Sequence, residues 1–93
     1  MQPEMAGATE VQIAVLTNGF VYVGNVAQRD GYVEIVNAKN IRRWGTTKGL
    51  GQLAIQGPQK ETILDETGVV RAPLHSVIFL IDCQEKAWRR IFG

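Results

Sequence analysis

The dipeptide Asn18-Gly19, set between two apolar stretches, constrains the fold of this chain more than any other feature. Before it, the β-branched residues Val11, Ile13 and Val15 alternate with Gln12 and Ala14. After it, residues 20–27 have the pattern of a returning strand. Asn-Gly is a strong signal for a tight hairpin, because a type I′ turn requires positive φ at both central residues. The pattern predicts an antiparallel hairpin and a mainly β fold.

Further strands are predicted along the chain. Gly24 interrupts the second strand and indicates a bend or bulge. After a turn at residues 29–31, a third strand is expected over residues 32–38. A loop over residues 37–58, with a helical turn near residues 50–55, separates it from the remaining strands. These are expected at residues 61–64, 69–72 and 75–83, with a turn at residues 65–68.

The C-terminal residues have the pattern of a short helix. Asp82 is placed to cap it, with Glu85 three residues later as in a capping box. Trp88, Ile91 and Phe92 would form one apolar face. Together the pattern predicts a mostly β fold, a small SH3-like or Sm-like barrel of five or six strands with this helix at its end. Residues 1–10 are expected to be a flexible tail and residues 11–93 a single domain.

Several classes of function do not suit this sequence. A single cysteine, Cys83, and a single histidine, His75, offer little for a disulfide framework, a metal site or acid–base catalysis. The longest uninterrupted apolar run, residues 77–81, is far shorter than the roughly 20 residues of a membrane span. We therefore expect a cytoplasmic protein that is not an enzyme and that has no cofactor, metal or membrane partner.

Charge is unevenly distributed, although the formal net charge is only +1. Residues 35–60 contain five basic residues and no acidic residue, and both flanking segments are slightly acidic. This basic segment also contains Trp44 and three glycines within residues 45–51. Two interpretations remain open: a solvated loop whose Trp44 fills one end of the barrel, or a binding site for an anion.

The first three strands resemble the first signature of the Sm-like proteins. The resemblance rests on Leu16 to Gly19, Gly24 to Val26, Asp30 and Val33 to Ile35, at the spacing of that signature. It implies a small, strongly bent barrel. The chain departs from the family at Glu34, where an Asn would read an RNA base, and at residues 74–76, where an Arg-Gly is expected. These departures argue against uridine-type RNA binding.

A second resemblance extends over roughly residues 15–88. The motif Trp44-Gly45-Thr46-Thr47-Lys48-Gly49-Leu50, with Gly57-Pro58 and Ala87-Trp88, is similar to a family of small tailed-phage proteins of unknown function. It implies an accessory role such as counter-defence in the host bacterial cytoplasm.

A site for a phosphate-bearing ligand can be drawn from the basic segment. Arg42, Arg43 and Lys48 would hold phosphates, and Trp44 would stack on a base. Gly45, Thr46, Thr47 and Gly49 would orient the ligand through hydroxyls and backbone amides. Arg71 and His75 are expected to reach the site from a neighbouring subunit. The apolar last strand and C-terminal helix suggest a homo-oligomer of four to six subunits.

The functional hypothesis is a phage counter-defence protein that sequesters a small immune signal, such as a cyclic nucleotide, without catalysis. Two alternatives belong to other classes. One is an Sm-like module that binds nucleic acid. The other is a structural phage protein or an inhibitor that binds another protein.

Overall fold

The computed structural model describes residues 10–92, which form five strands and two helices. They are β1 (Val11–Leu16), β2 (Val21–Gln28), β3 (Tyr32–Arg43), α1 (Gly49–Gln56), β4 (Ile63–Pro73), a 3₁₀ turn (Leu74–Ser76), β5 (Val77–Asp82) and α2 (Glu85–Phe92). The strands make one antiparallel sheet in the order β4-β3-β2-β1-β5. The mostly β class with a C-terminal helix is confirmed, with five strands. Residues 1–9 of the predicted tail lie outside the described residues.

The first hairpin forms where predicted, but its turn type differs. Gly19 has a φ of 91°, whereas Asn37 is the one non-glycine residue with positive φ among residues 10–92, so Asn18 does not adopt the type I′ conformation. The amide of Gly19 donates to the Leu16 carbonyl, and the amide of Leu16 donates to the Phe20 carbonyl. This is a three-residue loop closed by a glycine bulge. The Asn18 carboxamide accepts from the Phe20 amide instead.

A bend between β2 and β3 begins at Gly24. A Cβ placed on Gly24 would lie 2.7 Å from the Ile35 side chain and 2.9 Å from the Val36 carbonyl. The register of the β2–β3 pair slips at this point. The register of the β3–β4 pair slips between Ile35 and Ala38, where Asn37 has a φ of 57°. Beyond the bend β3 continues to Arg43, five residues past the predicted end.

The segment predicted as a short strand, a turn and a second strand is one strand, β4. Asp65 and Glu66 lie inside it, opposite Asn40 and Lys39 of β3. Residues 65–68 have the composition of a turn, and the β3–β4 pair accommodates them by a slip in register. At this slip Gly68 has a φ of 83° and the Thr67 hydroxyl donates to the Ala38 carbonyl. The turn prediction for residues 65–68 was therefore wrong, because pairing with the long β3 overrides the local preference.

Two clusters of buried residues occupy the two faces of the sheet. One joins β1 to β4, which are not neighbours in the sheet, through Leu16 and Ala72, so the sheet is curled on itself. The other packs the opposite face under the helices, through Ile13, Ile41, Leu53 and Trp88.

The last strand and the last helix both start later than predicted. His75 lies in the 3₁₀ turn, which precedes β5. Asp82 does not cap α2, because it is the final residue of β5 and its carboxylate accepts from the Gln12 side chain at 2.8 Å. The predicted apolar face of the helix is real, with Trp88 fully buried and Phe92 packed on the same cluster, although Ile91 is exposed.

Helices α1 and α2 are joined at the Ala54 carbonyl. It accepts from the Gln84 amide at 2.9 Å and from the Trp88 indole at 3.2 Å. Gly57 ends α1 with a φ of 83°, and a Cβ there would lie 2.4 Å from the Ala87 carbonyl oxygen. The close approach of the helices therefore requires a glycine at this position.

Alanine substitutions at the two ends of α1 should separate this contact from backbone strain. Gly49 has the same φ as Gly57, but nothing lies within 4 Å of a Cβ placed there. We expect Gly49→Ala to cost about 1–2 kcal/mol, the penalty of a left-handed L-residue. Gly57→Ala should lower the free energy of unfolding by about 3 kcal/mol or more, because the same backbone penalty is joined by displacement of α2. Urea unfolding measures both, and equal losses would contradict the proposed contact.

Candidate functional site

The segment from Arg42 to Gly51 is called the Trp44 loop. It comprises the last two residues of β3, the connection that follows and the first residues of α1. Gly45 has a φ of 67° and packs so closely on the backbone of Glu61 and Thr62 that a Cβ would overlap it. The Thr62 hydroxyl donates to the Trp44 carbonyl at 2.6 Å. The backbone at Trp44 is thus fixed against the start of β4, and its side chain remains 43% exposed. Trp44 does not fill the end of the barrel.

Strand β4 supplies acids to the basic residues of β3. Arg42 donates to Asp65 at 2.6 Å, and this hydrogen bond raises the pKa of Arg42. Lys39 donates to Glu66 at 2.9 Å, and the bond lowers the pKa of that carboxyl. Two of the five basic residues of the segment seen in the sequence are therefore paired with acids of β4, a pairing that residue order alone does not reveal.

Arg43 is more weakly engaged than Arg42. Its guanidinium lies 3.9 Å from the Glu61 carboxylate, beyond hydrogen-bond distance, and its side chain is 61% exposed. Exposed ion pairs of this kind contribute little to stability. Arg43 can therefore leave its carboxylate for a ligand at a lower cost in free energy than Arg42 can.

The polar groups after Trp44 stabilise the loop itself. The Thr46 hydroxyl donates to the Gly49 carbonyl at 2.9 Å. The backbone amides of Thr47 and Lys48 both donate to the Gln52 side-chain oxygen, at 3.0 and 2.7 Å. Of the groups predicted to orient a ligand, the hydroxyls of Thr46 and Thr47 are therefore already engaged within the loop. Within residues 10–92 the Lys48 ammonium forms no ion pair.

Arg71 and His75 lie far from the Trp44 loop along β4. The loop leaves β3 where Arg43 pairs with Ile63, whereas Arg71 pairs with Glu34. Eight positions of β4 separate Ile63 from Arg71, a path of about 26 Å along the strand. The structure does not bring the two groups together within one chain, so the prediction of a joint site depends on a neighbouring subunit.

A second charged cluster centres on Glu34. Its Oε1 accepts from Arg29 at 2.9 and 3.1 Å, and its Oε2 accepts from Arg71 at 2.9 Å. The hydrogen bond from Arg29 is the main reason that the pKa of Glu34 is lowered. Arg29 was not among the predicted site residues, although its spacing from Glu34 across a short turn is a usable signal for an ion pair.

The described residues offer little for metal or nucleophilic chemistry. Within residues 10–92, no three His, Cys, Asp or Glu side chains are grouped to hold a metal ion. Burial, with a smaller effect of Asp82, raises the pKa of the Cys83 thiol to about 12. The thiol is therefore protonated at neutral pH and is a poor nucleophile. No helix in this part of the chain is long and apolar enough to cross a membrane.

Comparison with known proteins gives a family and a fold. A family model described as a domain of unknown function, DUF6948, matches residues 8–91. A search of curated proteins finds no match. Among solved structures, a heptameric archaeal Sm protein is similar, with a TM-score of 0.56 and 12% identity over 86% of this chain and 94% of that one.

A second similar chain comes from the NatC complex bound to CoA. It has a TM-score of 0.52 and 13% identity, over 97% of this chain and 96% of that one. At such identities the likeness concerns the fold alone. The Sm-like fold expected from the first three strands is confirmed.

The Glu34 cluster predicts a pH-dependent contribution to stability. A carboxyl whose pKa is lower in the folded state stabilises the fold above its unfolded pKa of 4.5 and loses this effect as the pH falls through the folded value. Glu34→Gln should therefore lower the free energy of unfolding at neutral pH, and the difference from the parent should vanish well below pH 4.5. Urea unfolding across this range tests it, with Glu61→Gln as a control expected to match the parent throughout.

Proposed function

The chain belongs to the DUF6948 family, and we propose that it is an Sm-like binding protein that captures a small phosphate-bearing nucleotide without catalysis. The observation that carries this proposal is the half-exposed Trp44 on a fixed backbone, next in sequence to Arg43, whose guanidinium is only loosely paired. An aromatic surface and an available cation within one short loop suit a ligand that combines a base with a phosphate.

The fixed backbone matters for affinity. Ordering a flexible loop on binding costs free energy, which weakens capture of a scarce ligand. Thr62 and Gly45 hold the Trp44 backbone, and Gln52 holds the amides that follow it. The loop is already ordered, so more of the interaction energy is available for binding.

The absence of catalysis is part of the proposal. Its support is the raised pKa of Cys83 and the packing of this residue against the buried cluster under the helices. A captured ligand would therefore be released chemically intact when the protein is denatured.

The proposed biological role follows the resemblance of residues 15–88 to small tailed-phage proteins. In that role the protein would act in the cytoplasm of an infected bacterium and remove an immune signal, with a cyclic nucleotide as the specific ligand. An Sm-like module that binds nucleic acid is the alternative. Glu34, which occupies the base-reading position of the Sm-like signature, favours the small ligand.

Assembly into a closed homo-oligomer of four to six subunits is proposed together with binding. Within residues 10–92, no strand lies beside the outer edges of β4 and β5. Ile78 and Phe79 are both exposed on β5, and Val69 is exposed on β4. Free edges with apolar side chains favour pairing between copies. The similar archaeal Sm protein is itself a heptamer.

Calorimetric titration with cyclic di- and trinucleotides tests the binding site. Trp44→Ala should weaken binding about tenfold or more, since stacking of a base is worth about 1–3 kcal/mol. Arg43→Ala should also weaken it at least tenfold through loss of charge-assisted hydrogen bonds. Arg42→Ala is the matched control and should have a smaller effect, because Asp65 already engages that guanidinium.

Other results would reject the proposal. A cyclic nucleotide that is recovered cleaved would show catalysis. Binding of a short oligonucleotide but of no cyclic nucleotide would favour the nucleic-acid module. A parent protein that binds none of these probes would leave a protein-binding role.

The edge of β5 provides a separate test of assembly. Phe79 and Phe20 are almost equally exposed, at 50% and 53%, but Phe79 lies on the edge strand and Phe20 beside the β1–β2 turn. We expect Phe79→Lys to reduce the subunit number in sedimentation velocity, whereas Phe20→Lys should leave it unchanged. A parent protein that sediments as a monomer at micromolar concentration would rule out assembly.

A further inference from the structure

We propose a second ligand site, the seam cleft, which takes a phosphate monoester attached to an apolar or aromatic group. The cleft has a volume of about 340 Å³ and is lined by residues 16–18, Tyr22, residues 70–73 and Ser76. It contains no residue of the Trp44 loop, so this inference is independent of the function proposed above.

The walls of the seam cleft come from parts of the sheet that are not hydrogen-bonded neighbours. One wall is the β1–β2 turn and the other is the end of β4, which the curled sheet brings opposite each other. The 3₁₀ turn ties them in place. The Leu74 amide donates to the Gly31 carbonyl at 2.9 Å, and the Thr17 amide donates to the Ser76 carbonyl at 2.8 Å. The cleft is therefore formed before any ligand arrives, as is usual for small-molecule sites.

Arg71 gives the seam cleft its charge, and no other charged residue among residues 10–92 lines it. The carboxylate of Glu34 is shared between Arg71 and Arg29, so one negative charge balances two positive charges. Arg71 spends a single N–H on Glu34, at 2.9 Å, and its side chain is otherwise 61% exposed. A guanidinium has five N–H donors in a planar fork that suits a phosphate group. Glu34, only 15% exposed, positions the arginine without neutralising the cluster.

The rest of the lining identifies the body of the ligand. Leu16, Val70, Ala72 and Pro73 are apolar, and the ring of Tyr22 packs against the same buried cluster. Thr17, Tyr22 and Ser76 add hydroxyl groups. Inorganic phosphate would contact the arginine but would leave the apolar residues of the cleft exposed to water. A polymer would need a row of cations along its backbone, whereas the cleft has one. An aryl or nucleoside monophosphate satisfies both the cation and the wall.

Calorimetric titration of the full chain with phenyl phosphate and with inorganic phosphate tests the seam cleft. Arg71→Ala should weaken phenyl phosphate binding at least tenfold. Arg29→Ala is the matched control: it also removes one guanidinium from Glu34, but Arg29 does not line the cleft, so its effect should stay below threefold. Arg71→Lys should bind with intermediate affinity, because it keeps the charge and loses the fork. Thermal unfolding of each variant establishes that it is folded.

The outcomes separate this proposal from the previous one. Trp44→Ala should leave phenyl phosphate binding unchanged, and inorganic phosphate should bind at least tenfold more weakly than phenyl phosphate. Equal losses in Arg71→Ala and Arg29→Ala would show a general charge effect and overturn the site. No binding of phenyl phosphate to the parent, or loss of binding in Trp44→Ala, would also overturn it, whatever the result with cyclic nucleotides.

Discussion

The close approach of β2 to its neighbour β3 at Gly24 is the constraint on which the rest of the structure depends. No side chain fits between Gly24 and the backbone of Val36 and Ala38. The slip in register there lets one strand pair run on past the bend, so a 12-residue β3 can pair with β2 and β4 along a curled path. Because a curled sheet has an inner and an outer face, one buried cluster forms inside and another under the helices.

The same curl determines where binding chemistry can occur. At one end of β3 it leads into the Trp44 loop, which packs on the start of β4. At the other end it brings the C-terminal residues of β4 toward the β1–β2 turn and leaves a cleft between them. The two candidate sites are thus consequences of one bend, at opposite ends of the longest strand pair. Each has an arginine that a carboxylate holds but does not fully occupy.

Charge pairing between strands revises how the basic segment is understood. In the sequence, residues 35–60 carry five basic side chains without an acid. In the fold, Lys39 and Arg42 form hydrogen bonds with Glu66 and Asp65. A linear charge count cannot anticipate this, because the acids were assigned to a turn and in fact belong to a strand in register with β3. Three of the five basic residues remain for a ligand, namely Arg43, Lys48 and Lys60, and of these Arg43 and Lys48 belong to the Trp44 loop.

The sequence by itself determined the class of fold, because alternation, glycine placement and the helical spacing of Trp88 and Phe92 are local signals. It also singled out Trp44, within a basic segment, as a candidate for stacking on a base. Tertiary structure alone decided the length of β3, the continuity of β4 and the loss of Asp82 as a cap, since each depends on pairing between distant segments. It alone placed Arg71 beside Glu34 and opened the seam cleft, because both arise from the way the sheet closes on itself.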